Sequence, residues 1–222
     1  MVFKALKYGL PLIAIISVCA CIPKPYMMES VPQPTSQRLI HDFPKWERVQ
    51  AAEQLNPSFN GRVIAVSNYS AVAGWAQLYD RYIDAPAMNK LKAVNLFFNQ
   101  WLYREDPDVW GIDDYWATPA EFMENSGDCE DYAITKFYAL KTLGVPAEDM
   151  CIAAVWNTLR NEGHAILIVA VAGEHYMLDN FSDEVVPTKE IRRYIPFFYL
   201  NDKTVWLHRE TENGRDTLDF MN

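Results

Sequence analysis

Apolar positions along the chain fall into three regimes. Lys4 and Lys7 precede an apolar run over residues 8–20, broken only by Gly9, Pro11 and Ser17. A basic start followed by about 13 mostly apolar residues predicts an export signal over residues 1–20, because the run is short of the roughly 20 that cross a bilayer. Residues 21–45 carry Pro23, Pro25, Pro32, Pro34 and Pro44 among polar residues, a composition that sustains neither a helix nor a ladder and predicts a linker. From residue 46 to 222 the pattern is that of one globular domain. Modest helices are expected over 47–55 and 70–82, and a core helix over 86–104, where Met88, Leu91, Val94, Phe97, Phe98, Trp101 and Leu102 recur at helical spacing.

Two capping signals follow. Thr118-Pro119-Ala120-Glu121 spells a capping box with proline at the first helical position, so a short helix should run from Pro119 to Asn125. Asp128 can cap a longer helix with Ala133, Phe137, Leu140 and Leu143 on its buried face, ended by Gly144 and Pro146. Cys129 would then sit in its first turn. Beyond Pro146 the period becomes that of strands, over 151–156, 165–171, 176–179, 195–200 and 205–208, with Ala172-Gly173-Glu174 turning the second back on the third. Helices first and hairpin-linked strands afterwards predict an α+β domain with an antiparallel sheet.

Charge narrows the function classes. The net charge is −9 with a pI near 4.9, and loss of residues 1–20 would remove two lysines and no acid. Nucleic acid is excluded as a natural partner, since affinity for it rests on Lys and Arg neutralising phosphates. Val18-Cys19-Ala20-Cys21 looks like the lipobox of bacterial lipoproteins, which makes Cys21 a candidate for lipidation; ordinary cleavage after Ala20 is the other reading. Either places the domain in the bacterial envelope.

A thiol at a helix N-terminus is favoured as thiolate, because unpaired backbone N–H groups stabilise negative charge there. Cys129 has that placement. An imidazole to take the proton and a carboxylate to orient it are found in His164, at the head of a strand, and Asp179, at the end of the next, which the hairpin brings nearly level. His175 is a rival base on the strand of Asp179, whereas His41 and His208 read as surface or packing residues. Cys129 and Cys151 are also candidates for a disulfide in an oxidising compartment, although Cys151 in an apolar strand reads more simply as a buried free thiol. Trp110 and Trp116 line the cleft or pack in the core. Zinc is disfavoured, as no Cys-x-x-Cys or His-x-x-x-His pair exists.

These residues carry a family resemblance. Trp116-Ala117-Thr118-Pro119-x-Glu121, Gly127-Asp128-Cys129-Glu130-Asp131-Tyr132-Ala133-Ile134, Gly163-His164 and Leu178-Asp179-Asn180 together resemble the bacterial transglutaminase-like cysteine peptidases of the LapG type over about residues 46–208. The resemblance implies a papain-like or transglutaminase-like core with Cys129 as nucleophile, His164 as base and Asp179 as its orienting partner. It further implies a calcium-dependent periplasmic protease that clips a large surface adhesin near paired alanines to release biofilm cells. An inner-membrane cyclic di-GMP receptor would hold it in check. A lipid on Cys21 would depart from the usual soluble form.

Calcium has a basis in the residues too. Asp128, Glu130 and Asp131 crowd three carboxylates around Cys129; their charge raises the thiol pKa, and a hard divalent cation relieves that conflict. The plain alternative is that acids merely favour a helix N-terminus. For function, the alternatives are a transglutaminase, in which an amine rather than water resolves the thioester, and a noncatalytic envelope binding module.

Overall fold

A computed structural model describes residues 37–39 and 43–207. The expected export signal, Cys21, His41 and His208 lie outside the described residues. Among those described, no helix is long and apolar enough to cross a membrane.

The described residues build six α-helices, α1 (Pro44–Leu55), α2 (Tyr69–Tyr82), α3 (Ala87–Phe98), α4 (Asp106–Val109), α5 (Pro119–Asn125) and α6 (Cys129–Thr142), and then most of a sheet. Its strands are β1 (Gln37–Leu39), β4 (Met150–Asn157), β5 (Glu162–Val171), β6 (Glu174–Asp179), β7 (Ser182–Pro187), β8 (Tyr194–Leu200) and β9 (Thr204–Leu207); β2 (Phe59–Asn60) and β3 (Val63–Ile64) form a separate small hairpin. The seven-stranded sheet has the order β1-β9-β8-β4-β5-β6-β7, every pair antiparallel. This is the expected α+β architecture of helices packed on an antiparallel sheet.

Local chemistry accounts for the elements that matter. Both halves of the capping box close α5: Thr118 Oγ1 accepts from the Glu121 N–H at 3.2 Å, and the Glu121 carboxylate accepts from the Thr118 N–H at 2.7 Å. At the β5–β6 turn Ala172 and Gly173 both have positive φ, 52° and 82°, as a two-residue hairpin that matches strand twist requires. Pairing Leu167 with Leu178 then leaves His164 and Asp179 as near neighbours at the open end of the hairpin.

Helices α1, α2, α3, α5 and α6 bury Trp46, Trp75, Phe98, Phe122 and Phe137 against one sheet face. The Trp46 indole N–H donates to the Asn201 carbonyl at 2.9 Å and locks α1 to the β8–β9 turn. On the other face Cys151, Ala153, Val155, Ile166, Ile168 and Met177 are covered by Ile191 and Tyr194.

Several elements differ from expectation. Helix α3 stops at Phe98 rather than reaching residue 104, because tight turns at Gln100 and Trp101 redirect the chain so that the Arg104 N–H donates to the Gly127 carbonyl at 2.9 Å. Trp101 still packs on Phe98 and Phe122, but Leu102 is 72% exposed. Strand β7 lies where no strand is expected. Gln37–Leu39 pairs with β9, and Pro44 opens α1, both inside the stretch read as linker.

Candidate active site

Helix α6 begins at Cys129, with Asp128 as its N-cap. The turn into it is tight: a Cβ on Gly127 would meet a carboxylate oxygen of Asp131 at 2.0 Å, so only glycine fits. Asp131 is fully buried. One of its oxygens accepts from the Ala117 N–H at 2.6 Å and the other from the Asp128 N–H at 3.3 Å. It thereby joins the segment before α5 to the start of α6.

The Cys129 thiol sits between two environments. Its Sγ donates to Glu130 Oε2 at 3.2 Å, and the backbone N–H of Ala165, the residue after His164, lies near enough to the sulfur to favour its thiolate. The helix that bears the cysteine therefore packs onto the strand that bears the histidine. Burial, followed by the charges of Glu130 and Asp128, pushes the thiol well above its ordinary pKa, while the Ala165 N–H opposes the rise.

His164 and Asp179 are both buried, and His164 Nε2 lies 2.9 Å from Asp179 Oδ1. The Phe181 ring stacks on the imidazole, 4.3 Å between centroids at an interplanar angle of 4°, and the Arg160 guanidinium lies 4.0 Å over the Phe181 ring. Asp179 accepts three further bonds, from the Phe181 N–H at 3.0 Å, the Tyr194 hydroxyl at 2.6 Å and Arg193 at 3.3 Å. Burial alone would raise the Asp179 pKa, but bonds from His164, Phe181 and Tyr194 outweigh it and hold the carboxyl well below the usual carboxylate range.

The acids around the cysteine extend further than expected. Carboxylate oxygens of Asp106, Asp128 and Asp131 lie within 4.8 Å of one another, and so do those of Asp106, Asp114 and Glu130. Asp106 is 1% exposed; its Oδ2 accepts from the Tyr115 N–H, whereas its Oδ1 and the Oδ1 of Asp128 are buried without a hydrogen-bond partner. Burial and then repulsion from Glu130 push Asp128 up to about 10, and burial pushes Glu130 up to about 7.

Other candidates fall away from this centre. His175 pairs with Ala170 at the turn end of β6, four residues and so roughly 13 Å along the strand from Asp179. Cys129 and Cys151 are both free, and Cys151 is buried under the opposite sheet face, so the disulfide alternative does not form. Trp116 packs edge-on against Trp46, and Trp110 lies 4.4 Å from the Tyr115 ring. Sequence reasoning missed Asp106, Asp114, Phe181, Arg193 and Tyr194. A charge cluster over residues 105–114 was a weak signal for the first two; Arg193 and Tyr194 reach Asp179 only through sheet pairing.

A family model described as bacterial transglutaminase-like cysteine proteinase, BTLCP, matches residues 48–213. The fold matches calcium-bound LapG of Legionella pneumophila with a TM-score of 0.57 and 29% identity, over 77% of this chain and 92% of that one. The EGTA-treated form of the same protein matches with a TM-score of 0.55 and 27% identity, over 78% and 90% of the two chains. No curated protein matches the chain.

Proposed function

The chain belongs to the bacterial transglutaminase-like cysteine proteinases, and from that premise we propose that it is a calcium-dependent periplasmic endopeptidase acting on the N-terminal region of a large surface adhesin, near paired alanines. Cys129 is its nucleophile, His164 its base and Asp179 the partner that orients the base. The observation that carries this reading is the buried His164–Asp179 pair at 2.9 Å, with His164 on the strand against which the helix of Cys129 packs.

The bond to Asp179 fixes the proton of neutral His164 on Nε2 and leaves the Nδ1 lone pair as the base. Nδ1 takes the thiol proton, and the sulfur attacks the scissile carbonyl carbon. Backbone N–H groups at the first turn of α6 stabilise the oxyanion. The imidazolium, steadied by ionised Asp179, then returns its proton to the departing amine. Water, deprotonated by His164, attacks the thioester and releases the acid and the free thiol.

Calcium fits the acid cluster. The ligands are hard oxygens, and the unpartnered buried Oδ1 atoms of Asp106 and Asp128 are what a cation would satisfy. Asp128, Glu130 and Asp131, joined by Asp106 and Asp114, would hold it, although both oxygens of Asp131 already serve backbone amides. Bound there, it would neutralise the carboxylates whose charge holds the Cys129 thiol protonated.

Lys4, Lys7 and the apolar run to residue 20 support export, with Cys21 as the lipid anchor and the proline-rich stretch after it as a tether. An inner-membrane cyclic di-GMP receptor is the proposed inhibitor. The test is incubation of purified protein and its Cys129→Ala variant with an adhesin N-terminal fragment bearing paired alanines, in calcium or EGTA. Cleavage should occur with wild type in calcium alone. A well-folded wild type that leaves the fragment intact in calcium would overturn the assignment.

A further inference from the structure

Lys136 is 1% exposed, and the mechanism above makes no use of it. It lies seven residues after Cys129 on α6, two helical turns and about 10 Å along the same face. Its ammonium donates to Oδ1 of Asn95, on α3, at 2.8 Å and to Oδ1 of Asn99, the residue that caps α3, at 2.6 Å, and lies 5.6 Å from the Tyr132 ring. These partners are neutral amides.

The far sides of the two amides are also committed. Asn95 Nδ2 donates to the Ser182 carbonyl at 2.8 Å. Asn99 Nδ2 faces the Asp179 carbonyl at 3.0 Å, the Ser182 carbonyl at 3.0 Å and Asp183 Oδ1 at 3.1 Å. An asparagine side chain can present either its oxygen or its NH₂ to a given neighbour. A cation on one side forces both oxygens toward itself and both NH₂ groups toward the carbonyls of the β6–β7 turn. An apolar side chain of the same length would fill the space without setting that polarity.

We propose that Lys136 is a positioning residue: through Asn95 and Asn99 it pins the backbone of Asp179 and Ser182, and so holds the Asp179 carboxylate on His164 at a fixed distance from the helix that carries Cys129. This rests on the catalytic reading of Cys129, His164 and Asp179. Without the ammonium the two amides are free to turn, an oxygen can face the Asp179 carbonyl, and the turn loses its anchor while substrate contacts stay in place.

Two variants test it, in calcium, with cleavage measured at pH 6, where Lys136 carries its charge. Lys136→Met removes the cation at near-constant volume. Asn99→Asp keeps the lysine's acceptor but replaces the donor that faces the Asp179 carbonyl, and it is the second variant should Lys136→Met fail to fold. Cleavage kinetics are measured together with the pH profile of Cys129 alkylation by iodoacetamide, read by mass spectrometry at that peptide. Each folded variant should lose kcat by 10- to 100-fold with KM within twofold, and Cys129 alkylation should slow by a similar factor as its pH profile moves toward that of an unassisted thiol. If kcat and the alkylation profile stay within twofold of wild type, or only KM changes, the lysine is a packing residue and the inference is wrong. Failure of the catalytic reading itself is seen in wild type, as no cleavage and a Cys129 no more reactive than glutathione, and would overturn both.

Discussion

Four donors converge on Asp179: His164, the Phe181 N–H, the Tyr194 hydroxyl and Arg193. All four favour the ionised carboxylate, so its folded pKa lies below the unfolded value. Its contribution to stability is therefore complete above the ordinary carboxylate range, near pH 4, and is lost only as pH falls through the depressed folded pKa. An acid limb in a pH–rate profile near neutrality would not belong to Asp179. Asp179→Asn should lower kcat by up to roughly 10⁴-fold, the loss seen when the orienting acid of a triad loses its charge. Tyr194→Phe removes one donor of four and should cost about tenfold or less. Steady-state kinetics on the adhesin fragment separates them, and equal losses would mean that Tyr194, not the carboxylate charge, sets the histidine's orientation. The placement of Cys129 at a helix start and of His164 beside Asp179 was legible in the sequence because a helix cap and a two-residue hairpin are local signals. Tyr194 and Arg193 were not, since they arrive through β8 pairing with β4, a contact that no local spacing encodes.

Helix α6 shows what local chemistry settles and what it leaves open. Its start, its end and the placement of Cys129 in its first turn were all readable from Asp128, Gly144 and the apolar spacing between them. The burial of Lys136 within it was not, because that depends on Asn95 of α3 and on Asn99, which caps it. Strand β7 escaped for a related reason: Ser182–Pro187 carries two acids and a proline and is held by pairing with β6 and by Asn95 and Asn99, not by apolar alternation. Helix α3 was overextended because Trp101 remains in the core after the helix has ended. Burial lowers the Lys136 pKa from 10.5 to about 7, against the opposing pull of Asp179 and Asp183. Between about pH 7 and 10.5 the unfolded chain then binds a proton that the folded chain does not, so stability rises with pH across that window, and the cost of burying the charge is complete below it. Urea midpoints at pH 7 and pH 9 should show wild type gaining on Lys136→Met, groups common to both cancelling in the comparison. A constant difference between the two proteins would place the lysine's folded pKa near its ordinary value.

At the scale of the whole molecule, the acid cluster bridges two parts of the chain that the backbone joins only loosely. Asp106 opens α4 and Asp114 lies in the exposed segment after it, while Asp128 and Glu130 belong to the start of α6. Burial and mutual repulsion raise Asp128 and Glu130 as the cluster stands, and that cost falls on a chain already carrying a net charge of −9. A cation held between the two parts would turn repulsion into a clamp. Because the unfolded chain cannot assemble the cluster, calcium should stabilise the folded state by about 2.7 kcal/mol at a free concentration 100 times its Kd. For a domain of this size that corresponds to a rise in Tm of roughly 5–10 °C. The rise should grow with calcium concentration, reverse on adding EGTA, and shrink in Asp128→Asn and Glu130→Gln. It should also be weaker with magnesium, which dehydrates reluctantly and demands a stricter geometry. Asp106→Asn decides whether the cluster acts as one site: a loss of calcium response equal to that of Asp128→Asn requires α4 to share the ion, whereas a full response would confine binding to the acids beside Cys129. Superimposable melting curves in excess calcium and in EGTA would remove the cation from the fold altogether.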